Sequence, residues 1–419
     1  MKKRSLALFM AALTAASLAA PMAAMADEGG TISGSYKGDP VELSFWNGFT
    51  STDGEVLQDI VDDFNERNDM GITIKMDVMP WDTFNEKLPA AIASGTAPDF
   101  VLCSSGYYPA YVREDSFQDI EDFYSYDGVN KDDFEPNIVD MLYYNGKCIG
   151  IPMQVVTHYL FWDKDLYEAA GLDAENGPSS WEEIVANAKT LTDKSKNQYG
   201  MNVSTTDNVV FQYAMYAYDG RYMNDDETKA ELNSENNQQA LADLKEMYQY
   251  SPKDMDDNTF ISGQLGQFIN GPWIINGLRD NEINFGVKAV PAADGHDPDA
   301  AIIPVGFSIP KTTSDNNKQA VYEFVKFWNS TEICTKWTGT CGTPAYLISA
   351  EENFKDDPLT SALSVPLKYG RIECKQHGVS VFRQDVLTPL MEDVFNNGKD
   401  IKESLDKYND VMQKMLDEG

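Results

Sequence analysis

Histidine is scarce in this chain of 419 residues: His158, His296 and His377 are the only three, and none stands at HxxxH or HExxH spacing. A zinc-peptidase helix is thereby excluded, because it needs two imidazoles on one helical face. The phosphate-cradling GxxxxGKS/T loop, the dinucleotide GxGxxG turn and the GxSxG nucleophile elbow are all missing, which removes the nucleotide, nicotinamide and serine-hydrolase readings those loops serve. Cysteines number five with no CxxC pair, so a thiol-redox site is not expected. Basic residues are outnumbered, 33 Lys and Arg against 67 Asp and Glu, for a formal net charge of −34. Such a surface repels phosphate backbones and anionic head groups, and nucleic acid is not an expected partner. The acidic run KDMDDN at 253–258 lacks the glycine and terminal glutamate of a calcium loop. No metal, no cofactor and no enzymatic activity are expected. The 67 acidic residues still leave paired carboxylates for glycoside hydrolysis formally open.

One long apolar run exists. Lys2, Lys3 and Arg4 precede a stretch from Leu6 to Ala20, and Ala24-Met25-Ala26 supplies a small-x-small cleavage pattern. Residues 1–26 therefore read as a signal peptide, and the protein as exported, periplasmic or at the cell surface. Residues 27–39, rich in Gly, Ser and Asp, read as a flexible leader. Cys103, Cys148, Cys334, Cys341 and Cys374 are an odd set for an exported protein; Cys334 and Cys341 fit either a small-loop disulfide or two buried thiols.

The remaining chain has 42% hydrophobic residues, including 21 Tyr, 20 Phe and 7 Trp. That length and content support two cores rather than one. VELSFW at 41–46 reads as a strand, Leu57, Ile60, Val61 and Phe64 as one helical face, and Ile72, Ile74, Met76 and Val78 as an alternating strand. A helix carrying Phe84, Leu88 and Ile92 leads to DFVLCSS at 99–105, a buried strand. Strand–helix–strand–helix–strand implies a parallel sheet with right-handed crossovers. Beyond residue 150, SSWEEIVANAKTLT carries a capping box from Ser180 to Glu183, AIIPVGFSIP at 301–310 reads as strand, and Val321, Phe324, Val325 and Trp328 form a helical stripe.

Aromatic and polar residues recur where strands stop: Trp46-Asn47-Gly48-Phe49, Trp81, Ser104-Ser105-Gly106-Tyr107, Gly271-Pro272-Trp273 and Gly306-Phe307. Open α/β sheets bind ligands at the carboxyl ends of their strands. Flat rings with a few oriented polar groups suit a sugar, whose C–H face packs on the ring while its hydroxyls are hydrogen-bonded. Each ring taken alone fits a core as well as a cleft.

With LSFWNGF, PWDTFNEKLPAAIASGTAPDFVL, GIPMQVVTHYLFWDKDLYEAAGL, SSWEEIVANAKTLT, GPWIINGL, IIPVGFSIPK and GKDIKESL in this order, the chain resembles, over about residues 40–416, the sugar-binding solute-binding proteins of ABC importers, the maltose-binding-protein-like family. The resemblance implies an α/β two-lobed periplasmic-binding-protein fold, type II-like, each lobe a sheet flanked by helices and joined by hinge segments. It implies an N-lobe of residues 40–154 and 300–345, and a C-lobe of 155–299 and 346–419. It implies a monomer that captures a sugar or oligosaccharide between the lobes and delivers it to a membrane permease. Residue by residue, it implies ligand contacts from Trp46, Asn47, Trp81, Ser104, Ser105 and Gly106, and from Gln154 and Thr157 at the crossing. It further implies contacts from Asn208, Phe211, Gln212, Trp273, Gly306 and Phe307. Arg383 and Asp385 stand where the family often places aromatics, a departure that counts against a long stacked oligosaccharide. Alternatives are a binding protein for a polyol phosphate such as glycerol 3-phosphate, with Arg383 or Arg371 neutralising the phosphate, a secreted carbohydrate hydrolase, and a chemoreceptor-coupled or adhesion protein.

Overall fold

A computed structural model describes residues 30–50, 52–253, 257–378 and 380–418. The signal-peptide reading of residues 1–26 lies outside these. In chain order the longer elements are β1 (Val41–Asn47), α1 (Thr52–Arg67), β2 (Ile72–Val78), α2 (Trp81–Ser94) and β3 (Phe100–Ser104). Next come β4 (Ile151–Val156), β5 (Tyr159–Asp163), α3 (Trp181–Thr190), α4 (Val209–Ala217) and α5 (Glu235–Met247). Then follow β6 (Gln267–Asn270), α6 (Ile275–Asp280), β7 (Phe285–Lys288) and β8 (Ile303–Ser308). The chain closes with α7 (Asp315–Trp328), α8 (Thr331–Cys341) and α9 (Ile401–Glu418).

The apolar stripes read from the sequence are the packed faces. Leu57, Ile60, Val61 and Phe64 of α1 are fully buried, as are Phe324 and Trp328 of α7. The Ser180 hydroxyl caps α3 by accepting the Glu183 N–H at 3.4 Å, while the Glu183 carboxylate reaches back to the Ser179 N–H at 2.6 Å. This reciprocal pairing satisfies donors that a helix start leaves open.

Two sheets result. The first runs β2-β1-β3-β8-β4, with β1 parallel to β2 and β3, and β8 antiparallel to β3 and β4. The second places β5 between β6 and β7, antiparallel to both. Each sheet has its own apolar core. In one, Phe45 stacks on Phe100 at 4.3 Å among Phe307, Phe324 and Trp328. The other joins Leu160 and Trp181 with Phe211, Tyr213, Leu241 and Leu405. The chain leaves the first sheet at Val156 and enters the second at Tyr159, so a two-residue link, Thr157-His158, joins the lobes. It returns between Ala301, which packs in the second core, and Ile302, which packs in the first.

Two expectations change. The leader is not free over residues 30–39: Ile32 bridges to Asn68, the Ser35 and Tyr36 N–H groups donate to the Glu323 carboxylate, and Tyr36 is buried. Glu323 lies nearly three hundred positions away on α7, so nothing local in the sequence announces the anchor. At the far boundary, Tyr346, Leu347 and Ala350 still pack in the first core, past the expected change of lobe at residue 345.

Candidate functional site

The first lobe gathers three half-buried rings where its strands end: Trp46, Trp81 and Tyr107, all resting on a cluster of Phe84, Leu88, Val101 and Tyr108. Trp81 meets Phe49 and Phe84 edge-on, at 5.8 and 5.3 Å. Its indole lies directly over Gly48, where a Cβ would come within 2.1 Å of Cδ2, so only glycine admits that ring position. Asn47 builds the turn beneath them: it is fully buried, and its Oδ1 accepts the Phe49 N–H at 2.9 Å. Ser104 and Gly106 are half-buried at the end of β3. Ser105 is buried, its carbonyl taken by the Tyr144 hydroxyl at 3.2 Å. The Tyr107 hydroxyl is pushed above its ordinary range chiefly by burial and by Asp82, and is drawn down by Arg383 of the other lobe. Tyr107 thus marks a point where the two lobes face each other.

From the second lobe comes Trp273, half-buried, folded back so closely over Gly271 that a Cβ there would stand 1.9 Å from the ring. Its indole meets His158 edge-on at 5.6 Å, and His158 packs on Tyr213 at 5.9 Å. Burial holds the His158 imidazole down at about 4, with Asp207 opposing, and its Nδ1 is buried without a hydrogen-bond partner. Thr157 is fully buried and shares a 2.7 Å hydrogen bond with the Tyr213 hydroxyl. Gln154 accepts the Trp337 indole N–H at 3.0 Å and faces a small cavity beside Trp273. Arg383 is exposed and donates to the Thr206 carbonyl at 3.1 Å; Asp385 is exposed.

Several predicted contact residues are buried among residues of their own lobe. Phe307 is core, packed on Phe45, Phe100, Phe324 and Trp328. Gly306 sits against the Tyr108 hydroxyl and the Ile151 carbonyl. The reason is topological: β8 is antiparallel and inserted between β3 and β4, so residues 306–307 are paired mid-sheet rather than placed at a carboxyl end. Phe211 is also core, against Tyr222. Asn208 is buried at the start of α4, and Gln212 donates to the Tyr216 hydroxyl at 3.0 Å. Helix α4 is buried almost all round, so a polar side chain there must find an internal partner. Thr157 serves the lobe crossing for the same reason. Trp46, Trp81, Ser104 and Gly106 are half-buried near the strand ends of the first lobe, and Gln154 lines the small cavity beside Trp273.

Sequence reasoning passed over His158, which it weighed only as a zinc ligand, and over Asp53, Asn276 and Thr343 beside Trp273. Position at the lobe crossing was the one signal available for His158. Tyr107 was seen at its strand end but not carried forward. Arg371, one candidate for a phosphate, is already engaged: it pairs with Asp299 at 3.1 Å and with Glu373 at 3.0 Å. Glu373 also accepts the Tyr216 hydroxyl at 2.5 Å. Among the described residues no His, Cys, Asp and Glu cluster is placed to hold a metal, and no helix is long and apolar enough to cross a membrane. A hollow of about 700 Å³ around Phe123, Asp127, Lys326 and Phe327 is lined by none of the strand-end residues.

Residues 48–333 match the family described as bacterial extracellular solute-binding protein. A putative binding protein of Brucella abortus is 25% identical over 263 residues, 58% of this chain and 61% of that protein; the chain thus spans about three-fifths of the length of this relative. The sn-glycerol-3-phosphate-binding periplasmic protein UgpB of Rhizobium meliloti is 24% identical over 337 residues, 75% of this chain and 77% of the relative. A solved solute-binding protein of an ABC transporter from Thermotoga lettingae, bound with alpha-D-tagatose, superposes with a TM-score of 0.80 at 20% identity, covering 90% of this chain and 99% of that one. The expected α/β periplasmic-binding-protein fold is therefore the one observed, and the chain belongs to the bacterial extracellular solute-binding protein family.

Proposed function

We propose that this protein is the extracytoplasmic solute-binding component of an ABC importer, taking a sugar between its lobes and presenting it to a membrane permease. The observations that support this reading are the half-buried rings Trp46, Trp81 and Tyr107 at the strand ends of one lobe, and Trp273 of the other, which shares a cavity with Gln154 of the first lobe beside a two-residue lobe crossing. Rings half in and half out of their own lobe offer apolar faces to a sugar ring, and a link that short lets the lobes move as bodies. Only the interactions that the second lobe adds on closing favour the closed state, and they set how far the bound solute shifts that equilibrium. The hydrolase alternative falls away, because the family binds solutes rather than transforming them.

A polyol phosphate remains the second reading, supported by the glycerol-3-phosphate-binding relative. Against it, Arg371 is neutralised by two carboxylates, and acidic Asp82 lies by the first-lobe rings. A thermal-shift screen of tagatose, maltose, mannobiose, ribitol and glycerol 3-phosphate decides between them, since a ligand of the native state raises the melting midpoint. The expected result is a rise with a neutral sugar that persists at high salt. A rise with glycerol 3-phosphate alone, fading as salt increases, would replace the sugar reading.

A further inference from the structure

The second lobe sends a turn, residues 371–378, across to the first. It starts at Arg371, whose carbonyl accepts the Ile302 N–H at 2.8 Å where the chain returns between the lobes. Cys374 is buried in the second core, with a left-handed φ of 53° that side chains adopt rarely. The Gly378 N–H closes the turn on the Cys374 carbonyl. Glu227, between Met223 and Ala230 of the same core, holds it from behind. Its carboxylate accepts the Gln376 N–H at 2.8 Å and lies 3.0 Å from Nδ1 of His377. The tip is therefore fixed to its own lobe before it meets the other.

From this tip the Lys375 ammonium donates to the Asp140 carbonyl at 3.2 Å and stands 5.4 Å from the centre of the Tyr144 ring. Arg113 of the first lobe reaches back and donates to the Gln376 carbonyl at 3.4 Å. Burial draws the Lys375 ammonium below its ordinary range, opposed by Asp140 of one lobe and Glu227 of the other. Tyr144 packs in the first-lobe cluster that supports Trp46, Trp81 and Tyr107, and its hydroxyl donates to the Ser105 carbonyl just beyond β3. The turn thus lands on the strand-end side of the first lobe.

We propose that residues 371–378 form a clasp that favours the closed arrangement of the lobes with or without a solute, and that Lys375 sets solute affinity without touching the solute. Lobes that part at the strand ends must draw Lys375 off Tyr144 and Gln376 off Arg113, so these contacts belong to the closed side of the equilibrium. An apparent Kd scales inversely with the fraction of protein already competent to bind. A clasp that raises this fraction strengthens every solute by the same factor. It serves the solute-binding role proposed above, yet it acts on the free protein and is tested there.

The test is small-angle X-ray scattering of the full chain without solute. Wild-type protein is compared with Lys375→Met, which keeps the stem and removes the charge, and with Lys375→Met combined with Arg113→Met. Lys414→Met on α9 controls for the lost charge, and melting midpoints control for folding. The radius of gyration should rise in Lys375→Met, at least as far in the double variant, and stay at the wild-type value in Lys414→Met. Calorimetric titration with D-tagatose, maltose, ribitol and glycerol 3-phosphate gives the second readout. Each one that binds wild-type protein should weaken by one common factor in Lys375→Met, roughly two- to fivefold, the size of an exposed cation–π contact. An unchanged radius in both folded variants overturns the clasp while leaving the solute-binding reading intact. A loss confined to one solute at unchanged radius overturns it too, and makes Lys375 a ligand contact. A wild-type protein that binds no member of the set contradicts the solutes proposed above, and scattering alone then decides the clasp.

Discussion

Replacing His158 by leucine should flatten the acid limb of this protein's stability curve. The imidazole is 8% exposed, packed between Trp273 and Tyr213, with no partner on Nδ1. Burial lowers its pKa from 6.5 to about 4 in the folded chain, only partly opposed by Asp207. As pH falls below 6.5 the unfolded chain takes up a proton that the folded one still refuses, so stability declines until the folded group titrates near 4. The contribution is complete above the upper value and absent below the lower one. At about 1.4 kcal/mol per unit, the window is worth about 3 kcal/mol. Urea unfolding of wild-type and His158→Leu protein at pH 7 and pH 4.5 isolates the effect, because the other titrating groups are common to both. Wild-type protein should lose more stability between the two pH values, by about 2 kcal/mol or more. Parallel losses in the two proteins would show that His158 is not buried neutral at the crossing.

Gly48→Ala puts a methyl group where the Trp81 indole lies, and should weaken sugar binding roughly tenfold by displacing that ring; an unchanged Kd in titration calorimetry would take Trp81 out of the site. Arg371→Met leaves the buried Glu373 without its paired cation, while Asp299 keeps Arg221 at 3.0 Å. It should destabilise the fold by about 2 kcal/mol in urea unfolding, below the range for fully buried pairs because Arg371 is partly exposed; no loss would mean the pair is solvent-screened. All five thiols are buried and unpaired, with burial pushing Cys334 up to about 11 and Cys148 up to about 12. Native protein at pH 8 should therefore ignore Ellman's reagent, with five thiols appearing in denaturant, and dithiothreitol should leave the melting midpoint unmoved. A drop in that midpoint would reveal a disulfide.

Local patterns carried most of the fold because they are set by neighbours in the chain. The stripe of Leu57, Ile60, Val61 and Phe64 is a helix face whatever it packs on, and Ser180 caps α3 through a residue three positions away. Cys334 and Cys341 could not be decided that way; both fall on α8, about 10 Å apart along the axis, too far for a disulfide. That Trp46 and Ser104 stand at strand ends in the parallel part of the sheet was legible for the same local reason. Gly306 and Phe307 were not, because strand order and direction are tertiary choices, and an antiparallel strand inserted mid-sheet hides what a parallel strand end would present. Asn208, Phe211 and Gln212 are buried for a different reason. Their helix is enclosed on nearly all sides, and a polar residue in such a helix reads identically whether it meets a ligand or Tyr216. The anchor of Ser35 and Tyr36 on Glu323 depends on a contact between distant parts of the chain, and no composition-based reading of a leader could supply it.

Trp273, the second lobe's ring at the meeting point, is where a solute held between the lobes is tested most directly. The measurement is calorimetric titration of the sugar found in the screen into wild-type and Trp273→Ala protein. A buried aromatic anchor predicts a loss of at least about 2 kcal/mol, roughly thirtyfold in Kd, with the melting midpoint of the free protein little changed. Equal affinity in the two proteins would contradict a solute held between the lobes at this ring.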